Sequence, residues 1–139
     1  MKKAGSALYW DESAILSALF RDQHSGKALK AISNMHIAHV LSSLAWSETQ
    51  GVIARIERER RFAADRLEAV REALGSGPWL YLSAHPDSSM IAGLARRWPL
   101  RGTDLWHLAT AKALQSEFPD VAMLSFDTRL SEAARGEGL

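Results

Sequence analysis

Apolar residues along this chain fall into two patterns that alternate from end to end. Short apolar runs read as buried strands at residues 6–10 (SALYW), about 35–40, 78–83 (PWLYLS) and 121–126 (VAMLSF). Between them, apolar residues recur at helical spacing. Ile15, Leu16, Leu19 and Phe20 mark one helix, residues 44–61 a long amphipathic one, and residues 62–74 another. SSMIAGLARRW and GTDLWHLATAKALQSEF follow, stopped by Pro99 and Pro119, and TRLSEAARGEGL closes the chain. Ser42 or Ser43 is placed to cap the long helix, and a GSG break precedes the third strand. Strands alternating with helices predict the α/β class: a three-layer α/β/α fold around a mostly parallel sheet of four or five strands. No repeat, low-complexity tract or long linker divides residues 1–139, which read as a single domain.

Carboxylates break this pattern where a site is expected. In such folds, ligands bind beyond the carboxyl ends of the strands. Asp11 follows the first strand there and Asp127 the fourth. Each also suits a helix N-cap, since Asp accepts the free amides of a first turn. Glu48 falls on a stripe formed by Leu41, Leu44, Ala45, Val52 and Ile56, in the middle of the face expected to be buried. An arginine partner or a wet stripe edge explains it; so does a site that needs negative charge, because an unpaired buried carboxylate costs several kcal/mol. Asp104 heads the helix of LRGTDLWHLATA with His107 one turn on, and Thr103 is the expected cap. Converging, Asp11, Glu48, Asp104 and Asp127 repel one another and need a cation. Oxygen ligands favour a hard ion, Mg²⁺ or Mn²⁺, able to hold a phosphate oxygen and activate water.

Composition narrows the setting. The chain has 139 residues, 47% hydrophobic and 24% charged, as in ordinary globular domains. Cysteine is absent, which removes disulfides and thiolate metal sites and suits a cytoplasmic location. No signal peptide or membrane span is expected. A net charge of +1 means that nucleic-acid contact must come from local patches.

The stretches LYWDESAILSALF, SSLAWSETQGVIAR, LRGTDLWHLATAKAL and MLSFDTRLSEAARGEGL, in this order and spacing, resemble the PIN domain, most closely the VapC-type toxins of bacterial toxin–antitoxin pairs. The resemblance implies a Mg²⁺- or Mn²⁺-dependent endoribonuclease in which a metal-activated water attacks the RNA phosphodiester, leaving a 5′-phosphate and a 3′-hydroxyl. It places the acidic site at Asp11, Glu48, Asp104 and Asp127, with Ser13 as the small hydroxyl residue that hydrogen-bonds within it. It implies a homodimer and a cognate antitoxin that obstructs the site. Two departures stand out. Glu12 occupies a place where relatives more often carry a small residue or threonine, and is expected to point to solvent. Relatives usually continue past Leu139 into a short final strand, so the sheet is expected to have four strands or a differently formed edge.

Other features stay open. RIERERR reads as a solvated face with ion pairs such as Glu57 with Arg61, or as a phosphate contact. Arg96, Arg97 and Arg101 are the better candidates for RNA contact. His36 and His39 lack a third zinc ligand and read as structural or surface residues. His107 suits either packing or hydrogen bonding behind a metal ligand. Two alternatives in function remain: a catalytically inactive binding module, and another phosphate-handling α/β domain. A receiver domain wants an Asp at the end of the third strand and a Lys after the last. A haloacid-type phosphatase wants an Asp at position 13, which is Ser.

Overall fold

The computed structural model describes residues 6–139; the expectation about a leader falls partly on residues 1–5 and lies outside the described residues. Four strands, β1 (Ala7–Trp10), β2 (Ala38–Ser42), β3 (Trp79–Leu82) and β4 (Ala122–Leu124), pair in the order β3-β2-β1-β4. All three pairings are parallel, with Tyr9 opposite Val40 on one side and Met123 on the other. The chain builds outward from β1 to β3, then returns to the far side of β1 for β4. The β1/β4 boundary is therefore the switch point where a ligand crevice is expected.

Alternation along the strands sorts the core into two faces. Trp10, Leu41 and Leu124 pack with α1 (Glu12–Leu19), α2 (Ser25–Ile32), α3 (Ser43–Arg58) and α4 (Ala64–Gly75). Ala7, Tyr9, Val40 and Met123 face the other way, toward α5 (Ser88–Arg97), α6 (Gly102–Ala113) and α7 (Thr128–Gly136). This is the three-layer α/β/α arrangement, with four strands. Trp10, Ile15, Leu41 and Ile53 are wholly buried, each contributing about 1.5–3 kcal/mol by area.

Several boundaries depart from the sequence reading. β2 lies later than residues 35–40, because Met35 is exposed while Leu41 is buried as a strand residue. Ser42, not Ser43, caps α3 by accepting the Ala45 amide at 3.1 Å. α3 ends at Arg58 rather than near Arg61, since Arg60 adopts a left-handed conformation with φ 52°, a conformation that commonly ends helices. The helix α2 was not anticipated: among its eight residues only Ala28 is buried, so its apolar signal is short. Thr103 is not the cap of α6. That helix begins at Gly102 behind Arg101 with no side-chain cap, and Thr103 lies inside its first turn. Glu57 pairs with Arg71 of α4 through two bonds of 2.9 and 3.1 Å, not with Arg61, because the helix ends first. Among the described residues no helix is long and apolar enough to cross a membrane.

Candidate functional site

The crevice at the switch point is lined by Asp11, Glu12, Ser13, Glu48, Arg101, Thr103, Asp104, His107 and Asp127, around a cleft of about 130 Å³. Every acidic residue singled out in the sequence thus reaches one place, together with Ser13 and His107. Glu12 joins them instead of facing solvent: as the first residue of α1 its side chain comes up beside Glu48.

Asp11 is set by its place at the end of β1. Its amide continues the ladder to Leu124 of β4, and its carboxylate caps α1, accepting from Ala14 N at 2.9 Å and Ser13 Oγ at 2.7 Å on Oδ1. Ser125 donates to Oδ2 at 2.5 Å from across the switch point. Ser13 Oγ in turn accepts the Phe126 amide at 2.9 Å, so one hydroxyl ties β1 to the turn after β4. Asp11 is 5% exposed. Burial pushes its carboxyl above the ordinary value, against the hydrogen bonds that favour the anion.

Asp127 caps α7 by accepting from Leu130 N at 3.0 Å on Oδ1. Capping and site membership coexist at Asp11 and Asp127, because a cap uses only part of a carboxylate. Among the described residues Asp104 pairs with one cation at long range, Arg101 Nε at 3.8 Å. Its carboxyl is raised first by burial and then by the negative charge of Asp127. Glu12 is raised by burial, then by Glu48 and Asp11. The stripe of α3 runs through Ala45, Thr49, Ile53 and Ile56. Glu48 therefore sits at its edge rather than in its middle, with 21% of its side chain exposed. His107 Nε2 lies 2.6 Å from Glu48 Oε1.

Among the described residues lining the cleft, five carboxylates face one arginine and one histidine; Asp11, Glu12 and Asp104 are raised first by burial, and Glu12 and Asp104 also by neighbouring carboxylates. Among the described residues no three His, Asp or Glu side chains form a ready-made cage. The donor set fits a hard divalent cation that keeps several waters and leans on one or two carboxylates, the usual habit of small hard ions.

The arginines divide. Arg101 borders both the acidic cleft and an adjoining groove of about 430 Å³, which Asp104, Asp127, Thr128 and Arg129 also line. Arg97 is engaged elsewhere, by Glu137 at 2.9 and 3.1 Å, and lines neither the cleft nor the groove, against the expectation of an RNA contact. Arg96 is exposed on α5 but does not line the cleft. Arg129, which the sequence pattern does not single out, lines the groove; its place two residues after Asp127, at a helix start, is the signal the sequence offers. His39 is buried, accepting from Trp10 Nε1 at 3.0 Å and meeting Asn34 O at 2.9 Å, and His36 is exposed, as a structural or surface reading expects.

A family model described as PIN domain matches residues 8–136. A solved structure described as the crystal structure of PAE2754 from Pyrobaculum aerophilum superposes with a TM-score of 0.57 at 18% identity, over 96% of this chain and 82% of that one. This likeness concerns the fold. No curated protein sequence matches the chain.

Proposed function

The chain belongs to the PIN domain family, and on that premise we propose that it is a metal-dependent endoribonuclease, the toxin of a type II toxin–antitoxin pair. PIN domains are generally nucleases and generally depend on divalent metal. The observation that carries the reading is the convergence of Asp11, Glu48, Asp104 and Asp127, with Glu12, on one cleft beyond the ends of β1 and β4.

In this reading Asp11, Glu48, Asp104 and Asp127 hold Mg²⁺ or Mn²⁺. When bound, the ion supplies a Lewis acid for a phosphate oxygen and eases ionisation of the attacking water. Ser13 and Ser125 fix the Asp11 carboxylate in orientation. Arg101, at the rim of the cleft and of the adjoining groove, offers its guanidinium to a backbone phosphate, and Arg129 does so from the groove. Without such cations the acidic cleft would repel RNA. The proposal extends to a homodimer, a cytoplasmic setting and a cognate antitoxin that covers the cleft.

The test is expression with and without the neighbouring open reading frame, followed by mapping of cleaved RNA ends. The expected result is growth arrest relieved by the neighbour. Purified protein should cut RNA at defined sites with Mg²⁺ or Mn²⁺ and leave it intact in EDTA. RNA that stays whole with metal present would overturn the reading.

A further inference from the structure

Behind the cleft runs a chain of buried side chains that holding an ion does not in itself require. His107 is 2% exposed. One edge of its ring meets Glu48 through Nε2, and on the other side Nδ1 lies 2.6 Å from the Tyr9 hydroxyl. Tyr9 is wholly buried, and its hydroxyl also meets Ser42 Oγ at 3.0 Å. Ser42 is the N-cap of α3, the helix that carries Glu48. The chain therefore leaves α3 at its cap, crosses β1 and α6, and returns to α3 at Glu48. Each element on this circuit carries a cleft carboxylate: Asp11 just past Tyr9, Asp104 one turn before His107, and Glu48 itself.

The carboxylates differ in what holds them. Asp11 and Asp127 are short side chains tied down as helix caps. Glu48 is long, caps nothing, and stands beside Glu12. A carboxylate accepts only, so Nε2 supplies the hydrogen of the His107–Glu48 bond. An arginine at position 107 would cancel permanently the negative charge an ion needs. A phenyl ring would fill the space and leave Glu48 and Tyr9 without their partner.

Resting on the reading of the cleft as a metal-dependent nuclease site, we propose that His107 is a positioning residue: it pins Glu48 Oε1, turns the second oxygen toward the ion, and is itself held from behind by Tyr9 and Ser42. The substitution His107→Gln keeps an N–H donor near the Nε2 position, whereas His107→Phe keeps only volume. Titration with Mn²⁺ alone, read by tryptophan quenching and by the Mn²⁺ paramagnetic resonance signal, separates them. His107→Phe should weaken Mn²⁺ binding by about 10–100-fold, the usual cost of losing a group that orients a metal ligand. His107→Gln should recover most of that affinity. In RNA cleavage the Phe variant should lower kcat with little change in KM. Tyr9→Phe, a milder change, should weaken Mn²⁺ binding in the same direction and by less. In the metal-free protein, a protected imidazole N–H resonance should vanish in Glu48→Ala.

Wild-type Mn²⁺ affinity in both His107→Phe and Tyr9→Phe would overturn the positioning role while leaving the nuclease reading intact. Loss in His107→Gln equal to that in His107→Phe would also overturn it, since packing would then be the cause. Wild-type protein that binds no Mn²⁺ and cuts no RNA would remove the nuclease reading and the role together.

Discussion

Glu137 and the cleft carboxylates live under opposite electrostatic regimes. Glu137, just past α7, is one carboxylate among cations. It takes Arg97 Nε and Nη2, the Trp98 indole at 2.7 Å, and Lys112 Nζ at 3.4 Å. Its side chain is 8% exposed, and the Arg97 hydrogen bonds, aided by Trp98 and Lys112, pull its carboxyl down to about 2. In the cleft, Asp11, Glu12 and Asp104 are pushed up instead, first by burial and then, for Glu12, by Glu48 and Asp11 and, for Asp104, by Asp127. The carboxylate of Glu137 is fully matched by cations, and the clamp holds α5, α6 and the end of α7 together. Among the described residues the cleft is left unbalanced, and an arrangement that costs stability is kept where something from outside completes it.

The largest expected effect is on catalysis. Asp11→Asn, Glu48→Gln or Asp104→Asn should abolish RNA cleavage, with circular dichroism unchanged. Glu137→Gln should leave kcat intact. The next effect is metal-linked stability. Saturating Mn²⁺ should raise wild-type stability by roughly 3 kcal/mol at about 100 times Kd, read as a shift in thermal midpoint that EDTA reverses. Asp104→Asn should lose this gain, together with the Mn²⁺ quenching of Trp10 and Trp106 emission. Equal stability with and without Mn²⁺ in the wild type would count against a shared ion site.

Smaller effects split the regions by sign. In metal-free buffer Glu137→Gln should cost about 1–3 kcal/mol in urea unfolding, because charge-assisted bonds are lost. Gly136→Ala should add a cost of about 1–3 kcal/mol, since a Cβ there would overlap the Trp98 ring, Cη2 and Cζ2 first, and the indole would have to shift. Asp104→Asn should be neutral or slightly stabilising, because it relieves repulsion from Asp127.

The smallest effect is the pH course. Glu137 is depressed from 4.5 to about 2, so its contribution is complete above pH 4.5 and is lost as pH falls through that window. The cleft carboxyls are raised, so their cost is felt above their folded values and disappears as pH falls through them. Acidifying metal-free protein should give a slight rise in stability and then a fall. In Glu137→Gln the rise should persist and the fall should shrink.

Much of the site was legible because its carriers are local. Asp11 and Asp127 stand where apolar runs stop, and their capping bonds reach only three residues ahead. Asp104 was legible as a carboxylate heading an otherwise apolar helix. Glu48 was found through an imperfect stripe: Leu41 belongs to β2, so the buried face of α3 is turned and Glu48 lies at its border. Glu12 was misplaced because its direction depends on Glu48, a residue of another helix. Arg97 looked free because Glu137, its partner, stands 40 positions away.

The sequence by itself determined the order of strands and helices, the layered class, and the carboxylates at the strand ends, since these follow from periodicities and caps spanning a few residues. Only the tertiary structure decided which charges are balanced and which are not. The balance at Glu137 and the circuit through Ser42, Tyr9, His107 and Glu48 join groups separated by up to 98 positions. Such pairings depend on how two helical layers settle on one sheet, and no local pattern along the chain records that.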